Sequence, residues 1–162
     1  MNIDNGNLYT EILPNLYISG TLYEDVIQAG KSSQALSRPS AFDSVVCLYG
    51  HANPIGYYLR EQRFGIADAE INDASKPEIR ALAEWLHSEW KLGKVVAGKC
   101  QAGLNRSSLV VALVLLKEGY SATDAIDLIR EKRSKYALFN THFVDFIHDV
   151  YDLEVTSHKL AV

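Results

Sequence analysis

The spacing of apolar positions along this chain changes several times, and each change marks an element. Leu16-Tyr17-Ile18 before Gly20 reads as a short strand. Asp25 to Ala29 reads as a short helix closed by Gly30, and the polar stretch from Gly30 to Ser40 reads as a loop. Val45-Val46-Cys47-Leu48, which ends the segment from Phe42, is a continuous apolar run of the length expected for a buried strand. From Ser75 the period lengthens. Ile79, Leu82, Leu86 and Trp90 recur at helical spacing, Ser75-Lys76-Pro77-Glu78 has the residues of a capping box, and Gly93 is a natural stop. Lys94-Val95-Val96-Ala97 then reads as a strand that runs straight into Cys100.

The second half is helical. Ser107 to Lys117 is apolar nearly all round, the mark of a helix buried on every side, and Gly119 ends it. Ser121 with Asp124 opens another helix, with Ala122, Ala125, Ile126 and Ile129 on one face. Asn140 can cap a last helix carrying Phe143, Phe146, Ile147 and Val150. Strands first, then mostly helices around one strand–loop–helix unit, predict an α/β fold: a central mixed sheet with helices on both sides.

Length and charge narrow the function. The 162 residues suit a single domain, 1–162, with a sizeable core. A net charge of -4 argues against nucleic acid as the main partner. The longest purely apolar run, Leu109 to Leu116, is too short to span a bilayer, and Met1 to Asn5 lacks the start of a secretory signal. No membrane partner is expected, and the expected location is cytoplasmic. Two cysteines, Cys47 and Cys100, are too few for a disulfide framework and suit a reducing compartment. The five histidines show no paired metal spacing, and neither metal nor cofactor is expected. Nothing in the sequence indicates an oligomeric state.

The chemistry concentrates in Cys100-Gln101-Ala102-Gly103-Leu104-Asn105-Arg106-Ser107. A cysteine ends a buried strand, a short loop follows, and a buried helix starts at once. Backbone N–H groups of Gln101, Ala102, Gly103, Leu104 and Asn105 can turn inward, and the helix N-terminus adds its positive dipole end, which together make an anion cradle. Gly103 permits a backbone conformation that other residues resist. Arg106 can grip two phosphoryl oxygens with its fork. The same field favours the thiolate of Cys100, the reactive form of the side chain.

Cys-x5-Arg followed by Ser resembles the signature loop of the protein tyrosine phosphatase superfamily, and Ala102 to Ser108 is similar to that of the small dual-specificity phosphatases. The resemblance extends over Ile12 to Gly20, Phe42 to Leu48 and Ala137 to Phe143, and so over most of the chain. It implies the phosphotyrosine protein phosphatase-like fold and a phosphorylated protein as substrate. It also implies that Cys100 attacks phosphorus and that Ser107 helps the sulfur leave. An aspartate on a separate loop, about thirty residues before the cysteine, would serve as general acid and base. Asp68, 32 positions before Cys100, is the first choice and Asp73 the second. Lys99 stands where the family usually has histidine. Cys47 could pair with Cys100 under oxidation, as a neighbouring-strand cysteine does in some relatives, or serve as a small hydrophobe in the core.

Two other readings compete. A phospho-binding module on the same fold, with weak catalysis, has the same motif. Gly93 to Cys100 also approximates a Walker A loop, which would make this a nucleotide-binding P-loop enzyme. Against that, cysteine is a poor magnesium ligand, and the apolar run lies inside the would-be loop rather than before it. Finally, Arg130, Lys132, Arg133 and Lys135 form a basic cluster, which suits a helix C-terminus and could also attract an acidic substrate region.

Overall fold

The computed structural model describes residues 7–36, 40–56 and 60–160. Five strands form one mixed sheet: β1 (Tyr9–Leu13), β2 (Leu16–Ser19), β3 (Ser44–Cys47), β4 (Arg60–Arg63) and β5 (Val96–Lys99). Four α-helices follow or interleave: α1 (Lys76–Lys91), α2 (Arg106–Lys117), α3 (Ala122–Lys132) and α4 (Thr141–Leu160). The strand order is β1-β2-β5-β3-β4, with only the β1–β2 hairpin antiparallel. β5 therefore sits centrally, with Lys99 level with Ser19 on one side and Cys47 on the other. The residue that leaves its C-terminal end is Cys100. In open α/β sheets ligands bind where strand order reverses, at the carboxyl ends, and β5 lies at such a point.

Side-chain alternation divides the sheet into two unlike faces. Leu16, Ile18, Val46, Leu48 and Val96 join the main core with residues from all four helices, around the fully enclosed α2. Tyr17, Val45 and Ala97 point the other way and pack with Phe42 and Ile55, while Tyr9 meets Tyr17 and Phe42 edge-on. The helices thus lie on one face, not on both as the sequence predicts. The opposite face is covered by aromatic rings and connecting segments. Gly98 allows α2 to sit directly on β5: a Cβ there would come within 2.9 Å of the Ser107 carbonyl oxygen and 3.1 Å of Val111 Cγ2.

Most elements match their sequence pattern, and the exceptions have physical causes. The expected helix from Asp25 to Ala29 is instead a 3-10 turn over Tyr23–Asp25. Val26 then bridges Ala52, and the Ile27 N–H donates to the His51 carbonyl at 2.7 Å, so tertiary pairing overrides local preference. The Gly30 to Ser40 stretch forms no regular element over its described part, residues 30–36 and 40. The β5 strand lies two residues later than predicted, because Val95 exchanges bonds with Asp43 instead of pairing in the ladder. Ser75 does not cap α1 with its side chain; Asn72 accepts the Ala74 N–H at 2.9 Å and caps the 3-10 turn that leads into the helix. Ser121 and Asn140 cap as expected, accepting the N–H groups of Asp124 at 3.1 Å and His142 at 3.0 Å. β4 carries no apolar pattern; its Arg-Glu-Gln-Arg is the polar composition common on sheet edges. Because β5 runs through Val96–Lys99 and pairs on both sides, the stretch resembling a Walker A loop is strand, which removes the nucleotide-binding reading. Among the described residues no helix is long and apolar enough to cross a membrane.

Candidate active site

The loop from Cys100 to Arg106 is held from outside, carbonyl by carbonyl. Thr21 donates its hydroxyl to the Cys100 carbonyl at 2.8 Å and its N–H to that of Gln101 at 2.9 Å. Arg133 donates to the carbonyls of Ala102 at 3.4 Å and Gly103 at 3.0 Å. The Leu138 N–H donates to the Leu104 carbonyl at 3.0 Å, and that of Leu109 to Asn105 at 2.9 Å. With six successive oxygens turned outward, their peptide planes turn the N–H groups inward. Those of Gln101, Ala102, Leu104 and Asn105 have no hydrogen-bond acceptor among the described residues. Such a concave set of free amides is an anion-binding nest, and the first turn of α2 adds to it.

Gly103 makes the loop possible. Its φ of 69° lies in the left-handed region, and a Cβ would come within 2.8 Å of the Gly20 nitrogen and 2.9 Å of an Arg133 nitrogen.

The reactive groups meet inside this ring. Cys100 is buried, its Sγ 3.2 Å from Ser107 Oγ and accepting the Gly103 N–H at 3.3 Å. Arg106 donates from Nη1 to the Ile66 carbonyl at 3.2 Å, reaches Gln101 Oε1 from Nη2 at 3.5 Å, and lies over the Tyr49 ring at 5.3 Å. Its buried Nε–H has no hydrogen-bond partner among the described residues. The fork is therefore anchored through Nη1 and Nη2 while Nε–H stays unengaged, a donor left for an oxyanion.

The two candidate acids part company. Asp68 accepts from Asn105 Nδ2 at 2.9 Å and from Asn140 Nδ2 at 2.8 Å, which ties it to the loop. Asp73 is exposed and paired with Lys76 at 2.8 Å at the start of α1; the ammonium group lowers its carboxyl pKa. Lys99 is buried, on the sheet face away from the helices, lining a cavity of about 210 Å³ with Asp25, Ser19 and Phe42. Cys47 and Cys100 are both free thiols and share a small buried cluster with Tyr49 and Ala52. Burial pushes the Cys47 thiol up, so it stays neutral. Among the described residues no group of His, Cys, Asp or Glu is placed to hold a metal.

Arg133 corrects the sequence reading most. It is not part of a solvated cluster but 4% exposed, and it also bonds Asn7, Leu8 and Thr10 of the first strand region. Arg130 too is occupied, with the carbonyls of Ala137 and Leu138. Neither role has a local sequence signal, because both depend on partners far along the chain or on a turn. Tyr49 and Thr21 were missed for the same reason.

No family model matches the chain. Among known proteins it is 35% identical over 81 residues to protein tyrosine phosphatase type IVA 3 of Mus musculus, covering 46% of each chain. It is 28% identical over 126 residues to the putative tyrosine phosphatase 123R of Invertebrate iridescent virus 6, covering 77% of this chain and 80% of that one. The match spans about half the length of the type IVA relatives. Among solved structures, human DUSP28 superimposes with a TM-score of 0.70 at 14% identity, covering 93% of this chain and 96% of that one.

Proposed function

We propose that this chain is a phosphatase of the protein tyrosine phosphatase superfamily, of the dual-specificity kind, whose Cys100 loop hydrolyses phosphomonoesters through a phosphocysteine intermediate. The observation that carries this reading is the loop with every carbonyl tied outside, a sulfur at its centre and an unengaged guanidinium N–H at its rim. In the first step Cys100 Sγ bonds to phosphorus, and the bond from phosphorus to the leaving oxygen breaks. Asp68 gives that oxygen its proton. In the second step a water oxygen bonds to phosphorus as the S–P bond breaks, and the water proton returns to Asp68. Ser107, beside the sulfur, stabilises the departing thiolate. The inward amides and Arg106 compensate the charge on the phosphoryl oxygens in both steps.

A phosphorylated protein, with phosphotyrosine or phosphoserine/threonine, is the proposed substrate. The loop interior, Gln101 to Asn105, has no lysine or arginine, which favours a singly phosphorylated group over a highly charged inositol phosphate. Two reduced, buried cysteines are in keeping with the proposed cytoplasmic setting. The test is hydrolysis of a chromogenic aryl phosphate. Turnover blocked by vanadate and absent in Cys100→Ser supports the reading. A second reading, a binding module with weak catalysis, draws on Lys99, which lies on the far face rather than supporting the sulfur as the usual histidine would. Vanadate-dependent thermal stabilisation without turnover would select it.

A further inference from the structure

Asp68 lies on an irregular, exposed segment, with no helix or strand from Phe64 to Asn72 to fix it. Its carboxylate is nonetheless held at both oxygens. Asn105 Nδ2 donates to Oδ2 at 2.9 Å and Asn140 Nδ2 to Oδ1 at 2.8 Å. Asn140 Nδ2 also donates to the Ala69 carbonyl at 3.2 Å, and the Asn140 N–H donates to Asn105 Oδ1 at 3.2 Å. These bonds close a ring through Asp68, Asn105 and Asn140. At the same time Asn140 Oδ1 accepts the His142 N–H, which caps α4. Both ends of the Asn140 amide are therefore committed, which fixes its orientation: nitrogen to the carboxylate, oxygen to the helix.

We infer that Asn140 is a positioning residue for the general acid, a role that rests on the assignment of Asp68 above. Where Asn105 ties one carboxyl oxygen to the Cys100 loop, Asn140 fastens the other to the start of a twenty-residue helix. Each carboxyl oxygen has two lone pairs, so Asp68 can carry the proton it delivers and still accept both amides. Asn140 moves no proton; it fixes the direction from which Asp68 gives one. A misaimed acid costs rate only where the leaving oxygen needs protonation, which gives the role a signature that a merely structural residue lacks.

The test uses the full chain and aryl phosphates of graded leaving-group acidity. Asn140→Ser keeps an oxygen that can cap α4 but removes the amide donor. Its kcat/KM for phenyl phosphate, a poor leaving group, is expected to fall about tenfold, while that for an activated coumarin phosphate stays within about threefold. Equal loss on both substrates, or no loss on either, overturns the inference. Asn140→Ala, which also loses the cap, should lower Tm further and show the same leaving-group dependence as Asn140→Ser; a lowered Tm without that dependence overturns the inference as well. Asp68→Asn is run in parallel. If it shows the leaving-group signature and Asn140→Ser does not, the positioning role alone fails. If Asp68→Asn lacks it, the assignment of the acid fails too.

Discussion

The two ends of the central strands are both charged and both buried, yet they treat charge in opposite ways. At the amino end of β3, Glu89 of α1 is 3% exposed and engaged at both oxygens: Ser44 donates its hydroxyl to Oε2 at 2.8 Å, Lys94 pairs with that same oxygen, and Arg60 approaches Oε1 to 2.5 Å. Burial pushes the Glu89 carboxyl up, but Lys94, Ser44 and Arg60 more than offset this and leave its pKa lowered. At the carboxyl end of β5, donors are gathered with no acceptor among the described residues: four loop amides and Arg106 Nε. A paired charge holds a fold together, whereas a set of unpaired donors kept in place by other bonds is a site in waiting. Both clusters rest on the same sheet, so each is a control for the other.

That contrast can be broken from either end. The largest effect expected is Cys100→Ser, which should cut kcat/KM about 10⁴-fold or more and leave the urea midpoint nearly unchanged. Steady-state kinetics alongside equilibrium unfolding checks both halves. Arg106→Lys keeps the charge but loses the planar fork, and should cost about a hundredfold in kcat/KM, with vanadate affinity reduced in step. Glu89→Ala does the reverse: it leaves the buried Ser44 hydroxyl without its acceptor and releases Arg60 and Lys94 towards solvent, and should destabilise by about 1–2 kcal/mol in urea titration with kcat per folded molecule unchanged. A loss of kcat there would join the two ends and defeat the comparison. The smallest effect is on pH. Because the folded pKa of Glu89 is depressed, its stabilisation is present above the ordinary carboxylate range and is lost as pH falls through the folded value. Acid unfolding of Glu89→Gln should lack that part of the curve.

The sequence exposed one of these ends and hid the other. The Cys100 to Ser107 motif is contiguous, so thiol, guanidinium and helix start could be read in one pass, and the structure brings Cys100 and Ser107 together. Glu89, Ser44, Arg60 and Lys94 come from four separate segments, and no local period announces that they meet. Helices whose apolar spacing is long and regular, α1, α2, α3 and α4, were legible for the same reason. β4 was not, because an edge strand needs no apolar alternation. Arg133 shows the limit most sharply: a cation near a helix end looks like a surface charge until oxygen partners from Asn7 to Gly103 are seen around it.

Gly98 has a reach that its lack of a side chain conceals. It lies two residues before the sulfur, and what it touches is the backbone oxygen of the serine facing that sulfur. One added methyl group there would act as a wedge between strand and helix, prising Ser107 away from Cys100 without altering any group that handles phosphate. The spacing between sulfur and hydroxyl is thus set from behind, by the thickness of a hydrogen atom in the middle of the sheet.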